Sequence, residues 1–150
     1  KNEEGITVIQ DQRELSEKEL LQWFWDQSTN DHTRKWVGFN SHGFDLPFLF
    51  RRSLVHGVTV GTPMRENRYW PNKFTDLMEV YSCGNREQRI SLDKLCTMLG
   101  IGGKTGSGAN FAELFETNPK FAIDYLKHDL DLTMEVLKKM LPWIAGGDDE

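Results

Sequence analysis

The sequence is poor in cysteine: of its 150 residues only Cys83 and Cys96 are cysteines, and they form no C-x-x-C. This excludes a disulfide framework or a zinc knuckle as the organising device and leaves reduced, structural thiols as the expectation. No run of eighteen apolar residues occurs, no basic segment precedes a short apolar stretch, and neither end carries a lipidation signal. Nothing therefore points to a membrane or to secretion, and a cytoplasmic protein is the expectation. Lys1 rather than Met stands first, so a processed or cropped left edge is expected. Internal repeats are absent. So is a Walker A loop: Gly103-Lys104-Thr105 has Met98 where the motif's first glycine belongs, and a helix rather than a strand leads into it. Gly100 to Gly108 reads as a flexible loop.

Positive charge is also in short supply. Eighteen Lys and Arg against 23 Asp and Glu leave a net charge of −5, which speaks against a surface that coats nucleic acid wholesale. The deficit is uneven: residues 1–33 and 108–150 each carry a net −5, whereas residues 34–107 carry +5. An acidic chain with a basic middle can hold cations at carboxylates while attracting a polyanion nearby, although a solvated surface accounts for the same counts.

What is present fits one α/β layer domain over residues 1–145, followed by a flexible tail at 146–150. An apolar content of 38% is enough for a real core. The β-branched run Gly5–Gln10 reads as a strand. Ser16, with Glu19 completing a capping box, opens a helix to Gln27 whose Leu20, Leu21, Phe24 and Trp25 face inward. The Trp23, Phe24, Trp25 cluster is read as core rather than as a base-stacking platform. A strand at Lys35–Asn40, a turn at Ser41–Gly43 and a helix at Asp45–His56 follow, with Pro47 in the first turn and Gly57 as the stop. Val58–Val60 reads as a further strand, and Thr62–Lys73 as a long irregular excursion of the kind that is often functional. Phe74–Asp76 brings the chain back, with Asp76 as N-cap of a short helix over Leu77–Cys83. Ser91 caps a helix with a Leu92, Leu95, Cys96, Leu99 stripe ended by Gly100. Residues 109–117 form a short helix with Phe111, Leu114 and Phe115 inward.

The last helix, 121–141, has Asn118 as N-cap and Pro119 in its first turn. Stepping by three and four visits Phe121, Tyr125, Asp129, Leu132, Val136 and Met140, which puts a phenol and a carboxylate in the row that should face the core. An unpaired ionised carboxylate in an apolar setting costs several kcal/mol, so Asp129 should be neutralised, hydrogen-bonded or bound to a cation. Taken alone it is either a metal ligand or the cap of a neighbouring loop, and Asp45 taken alone is a helix N-cap. Together with Tyr125 they form a different pattern. Two carboxylates from separate elements and a phenol are what a hard divalent cation and an oriented water require.

Val37-Gly-Phe-Asn40-Ser-His-Gly-Phe44-Asp45-Leu-Pro47 is similar to the second motif, N-x-x-x-F-D-x-P, of the 3′→5′ exonucleases of the DEDD superfamily. Tyr125-Leu-Lys-His-Asp129 is similar to the third, Y-x-x-x-D, which defines the tyrosine branch; the histidine branch would need His where Asp124 stands. Over essentially its whole length the chain resembles the group related to the proofreading domain of family-B DNA polymerases. That resemblance implies a ribonuclease H-like three-layer α/β/α fold with a mixed sheet. It implies two-metal hydrolysis, with Mg²⁺ or Mn²⁺, of terminal phosphodiester bonds at the 3′ end of single-stranded nucleic acid, with DNA the expected substrate. Asp45 and Asp129 would be metal ligands, Tyr125 would hold the attacking water, and Asn40 and Phe44 would lie against the terminal nucleotide. Arg51, Arg52, Arg65, Arg68 and Lys73 are candidates for phosphate contacts, whereas His42 and His128 match no role and are read as solvent-facing or loop residues.

The family's first motif, D-x-E on a central strand, does not occur before Asn40, and Asp11-Gln-Arg-Glu14 has the wrong spacing. The expectation is that this strand lies upstream of Lys1, leaving a sheet edge to be covered and a chain that is inactive or weakly active alone. The alternative is a degenerate exonuclease fold that binds nucleic-acid ends, or a protein partner, without cleaving.

Overall fold

The computed structural model describes residues 15–29, 35–61, 74–103 and 111–144, which divide into two compact units between Leu77 and Met78. The strand expected at Gly5–Gln10, the excursion Thr62–Lys73 with Arg65, Arg68 and Lys73, Lys104 with the rest of the glycine loop, and the tail at 146–150 lie outside the described residues.

The first unit begins where a polar side chain can close a helix end. Ser16 Oγ accepts the Glu19 N–H at 3.3 Å while Glu19 Oε2 accepts the Ser16 N–H at 2.7 Å, a reciprocal capping box that starts α1, Glu17–Thr29. Its inward face is Leu21 and Trp25, both buried. The rings of Phe24 and Trp25 meet edge to face at 4.9 Å, and Trp36 of the first strand continues the aromatic series at 5.6 Å from Phe24, so Phe24 and Trp25 are core, as their position on a helix suggests, while Trp23 is half-buried. β1, Trp36–Gly38, and β2, Phe74–Asp76, pair in parallel with Trp36 opposite Phe74 and Gly38 opposite Asp76. Between them α2, Asp45–His56, ends at Gly57, whose φ of +63° supplies the left-handed stop that a side chain resists. Leu21, Trp25, Leu46, Val58 and Phe74 form one core cluster.

One expectation about the sheet is corrected and another is met in part. Val58–Val60 forms no strand: the Val58 N–H donates at 2.9 Å to the Ser53 carbonyl, closing the end of α2, and its side chain goes into the core. The donor a ladder would need is spent on the helix cap. The described residues carry a two-stranded parallel sheet flanked by helices, which agrees with the expected α/β class.

An ion cluster joins α1 to α2. Arg52 donates through Nε and, at 2.6 Å, through Nη2 to the two carboxylate oxygens of Glu17, and His56 Nε2 lies 3.1 Å from Glu17 Oε2. The Arg52 hydrogen bonds outweigh desolvation and, helped by His56, lower the Glu17 pKa from 4.5 to about 2. A depressed carboxylate stabilises the fold above its unfolded pKa and loses that contribution as pH falls through the folded one. Glu17→Gln should therefore narrow its stability deficit against the native chain between pH 5 and pH 2, and in 0.5 M salt, as thermal melts would show. Equal deficits at both pH values would refute this.

The second unit is helical. α3, Leu77–Tyr81, begins at the boundary; Ser91 Oγ accepts the Lys94 N–H at 3.3 Å to open α4, Leu92–Met98, with Leu92, Leu95 and Cys96 buried. α5, Phe111–Thr117, and α4 both pack on α6, Pro119–Ile144, which opens with Asn118 Oδ1 accepting the Phe121 N–H at 3.2 Å. The buried row of α6 is Ala122, Tyr125, Leu132 and Val136. Phe121, expected inward, is half exposed instead. Positions 121 and 122 flank the same stripe, and the small side chain is the one buried. Among the described residues no helix is long and apolar enough to cross a membrane.

Candidate functional site

The expected site residues fall into two groups, each assembled within its own unit. The first occupies the turn between β1 and α2. Gly38 has to be glycine, because a Cβ there would stand 2.8 Å from Ser41 Cβ and Oγ. The chain then reverses through Asn40 at φ +58°, a left-handed conformation asparagine tolerates better than most residues. The Asn40 carbonyl accepts the N–H groups of Gly43 at 3.2 Å and Phe44 at 3.0 Å, and the Ser41 carbonyl accepts that of Leu46 at 2.9 Å. This tight reversal delivers Asp45 as the first residue of α2 at the carboxyl end of parallel strands, where open α/β sheets gather their ligands.

Asp76 holds the reversal from below. It is buried at 2% exposure, and its Oδ1 and Oδ2 accept the N–H groups of Asn40 and His42, each at 2.9 Å. The sequence marks Asp76 as the cap of α3 and misses these partners; the only local signal was an acidic residue at a strand end. His42, expected in solvent or a loop, is half-buried in this turn.

Asp45 is exposed, yet protein crowds its carboxyl. Desolvation first and the negative charge of Asp76 second raise its pKa above the ordinary aspartate value, against a lowering contribution from its own backbone N–H. Asp45 offers hard oxygen donors, and a divalent cation would favour its ionised form, so the chemistry of this side chain fits such an ion. Beside it Phe44 and Phe48 stand 66% and 54% exposed with their rings stacked 6.4 Å apart at 9°. Phe48 escaped the sequence reading; its spacing of four from Phe44 was the available signal. Arg52, a phosphate candidate by sequence, is committed to Glu17.

The second group lies on α6. Tyr125 is buried with its ring 6.5 Å from that of Phe111, and Asp129, one turn on, is half-buried. Asp129 was expected to face inward, and its position between Tyr125 and Leu132 keeps it on the buried side of the helix. His128, expected to be solvent-facing or in a loop, instead places Nε2 3.2 Å from the Gly103 carbonyl, tying the start of the glycine loop to α6.

Residues 1–140 match the family described as "Predicted 3'-5' exonuclease related to the exonuclease domain of PolB". Curated relatives include proteins named DNA polymerase beta from African swine fever virus. The protein of a Portuguese pig isolate is 29% identical over 79 residues, covering 53% of this chain and 6% of the viral protein. That of a Kenyan pig isolate is 28% identical over 79 residues, covering 53% and 7%. That of a Malawian tick isolate is 29% identical over 84 residues, with the same coverage of 53% and 7%. The chain thus spans only 6 to 7% of the length of these relatives. No solved structure matches the chain.

Proposed function

Since the chain belongs to the family of predicted 3′→5′ exonucleases related to the exonuclease domain of family-B DNA polymerases, we propose that it is the nuclease portion of a metal-dependent 3′→5′ exonuclease acting on single-stranded DNA. The ribonuclease H-like fold belongs to the same proposal. The parallel β1 and β2, with α2 following β1, agree with it. The observation that carries the reading is the turn between β1 and α2, which sets the exposed Asp45 at the carboxyl end of the parallel strands and is held there by two main-chain N–H groups donating to the buried Asp76.

In this reading Asp45 and Asp129 hold Mg²⁺ or Mn²⁺. When bound, two such ions lower the pKa of water and stabilise the charge that develops on the entering and leaving oxygens. The chain's own residues do the rest. Tyr125, fixed by burial and by the Phe111 ring, orients the attacking water through its hydroxyl. Asn40 and the stacked Phe44 and Phe48 receive the terminal nucleotides, since aromatic faces bind bases without regard to sequence. The DNA polymerases among the relatives support DNA over RNA.

The test is a 5′-labelled single-stranded oligonucleotide incubated with Mn²⁺ and the chain, alone and extended upstream. A ladder that shortens from the 3′ end and disappears with EDTA or Asp129→Asn is the expected result for the extended form. Retention of the oligonucleotide without shortening would establish instead the non-cleaving binder. Independently, Phe44→Ala and Phe48→Ala should each weaken single-strand binding about tenfold, because a base–aromatic stack contributes about 1 to 3 kcal/mol. Fluorescence anisotropy with a labelled oligonucleotide measures this; unchanged affinity in both would remove the stacking role.

A further inference from the structure

We propose that Asp76, to which the resemblance assigns no role, is the positioning residue of this site: its buried carboxylate clamps the turn carrying Asn40, Phe44 and Asp45 and so sets where Asp45 can hold a divalent cation. The proposal rests on the nuclease reading and deepens it. Three observations carry it. The parallel register sets Gly38 beside Asp76, so the strand end of one lies beside the last residue before the reversal of the other. Both oxygens of the buried carboxylate are engaged by main-chain N–H groups two and four residues beyond Gly38. The segment so held contains a non-glycine residue, Asn40, at positive φ, a conformation that still costs free energy for asparagine and that the two hydrogen bonds help to hold.

The residue type follows from the same geometry. Capping α3 would be served by Ser, Thr or Asn as well as by Asp. Accepting two N–H groups on two oxygens is served by a carboxylate, because an asparagine offers one acceptor and turns an NH₂ donor toward the other N–H. The site therefore demands a charge at this buried position, and that charge also adds to the negative potential that draws a cation toward Asp45. Groups that orient a metal ligand from behind change metal affinity without touching the ion.

The experiment follows the backbone amides of the whole chain by NMR during a Mn²⁺ titration, in the native protein, Asp76→Asn and Val58→Ala. Val58→Ala loosens the same core without touching the turn. In the native protein the amide signals around Asp45 should broaden first. In Asp76→Asn the Asn40 and His42 amides should shift upfield, and the Mn²⁺ concentration for half-broadening near Asp45 should rise about tenfold or more. Val58→Ala should keep the native Mn²⁺ dependence at a lowered melting temperature. An unchanged Mn²⁺ dependence in Asp76→Asn, or an equal loss in Val58→Ala, overturns the positioning role and leaves the nuclease reading intact. If Mn²⁺ fails to broaden the Asp45 region both in the native chain and in the form extended upstream, the nuclease reading falls and the positioning role with it.

Discussion

Asp45→Asn should cut the rate of 3′-end shortening about a thousandfold and, in the metal-free protein at pH 7, raise the melting temperature. The two effects have one origin. If Asp45 holds the ion as proposed, its loss forfeits several kcal/mol of charge stabilisation at the scissile phosphate, and about 4 kcal/mol already corresponds to three decades of rate. The stability gain follows from the sign of the shift. Desolvation and Asp76 raise the folded pKa of Asp45 above 3.8. A raised carboxyl favours the fold below the unfolded pKa and loses that contribution as pH rises through the folded one, so at pH 7 the ionised side chain is a liability. Asparagine removes the charge and keeps the shape, which is the exchange of stability for function seen at many active sites. The gain should vanish below about pH 3.8, where the native carboxyl is itself neutral. Melts at pH 7 and pH 3, with the cleavage assay on the form that yields a ladder, test both halves. A melting temperature at pH 7 equal to or below the native one, or a rate within tenfold of it, would contradict the assignment.

The local chemistry of this fold was legible in the sequence and its long-range chemistry was not. The limits of α2 could be read directly, because Gly57 marks a left-handed stop and the residues before it form an amphipathic run. The capping box at Ser16 and Glu19 and the cap at Ser91 were equally plain, since each is closed within three residues. The strands were harder. Each is three residues long, too short to display a period of two, and the β-branched run at Val58–Val60 was drawn off by the helix end before it. Asp76 shows the limit most clearly. Its partners lie 36 and 34 residues away, and no local pattern announces a carboxylate that reaches back across a sheet. On α6 the fault at Asp129 stood out because an acidic residue interrupts an apolar row, whereas the choice between Phe121 and Ala122 was made by what packs there.

Trp25→Ala should lower stability by about 3 to 5 kcal/mol, the usual cost of truncating a large buried aromatic. Trp25 is 1% exposed and packs in the cluster with Leu21, Leu46, Val58 and Phe74. Its indole Nε1 donates to Ser53 Oγ at 2.7 Å, and that hydroxyl donates onward to the Leu49 carbonyl at 2.8 Å, so the tryptophan both fills α2's inner face and anchors it. The two contributions can be separated. Trp25→Phe keeps most of the ring and removes the donor, leaving Ser53 its own bond to Leu49, so it should cost only about 1 to 2 kcal/mol. Ser53→Ala should cost a similar amount, and the double variant Trp25→Phe with Ser53→Ala should fall short of the sum, because the shared hydrogen bond is lost once. The consequence reaches the site. Leu46, in the same cluster, follows Asp45 directly, so the core that seats Leu46 also seats the first turn of α2. Trp25→Ala, which empties far more of that cluster than Val58→Ala, should therefore weaken Mn²⁺ binding near Asp45 as well as the fold, whereas Trp25→Phe, like Val58→Ala, should spare it. Urea denaturation with the same Mn²⁺ titration measures both. A loss under 1 kcal/mol for Trp25→Ala would show that the packing around α2 does not depend on this side chain.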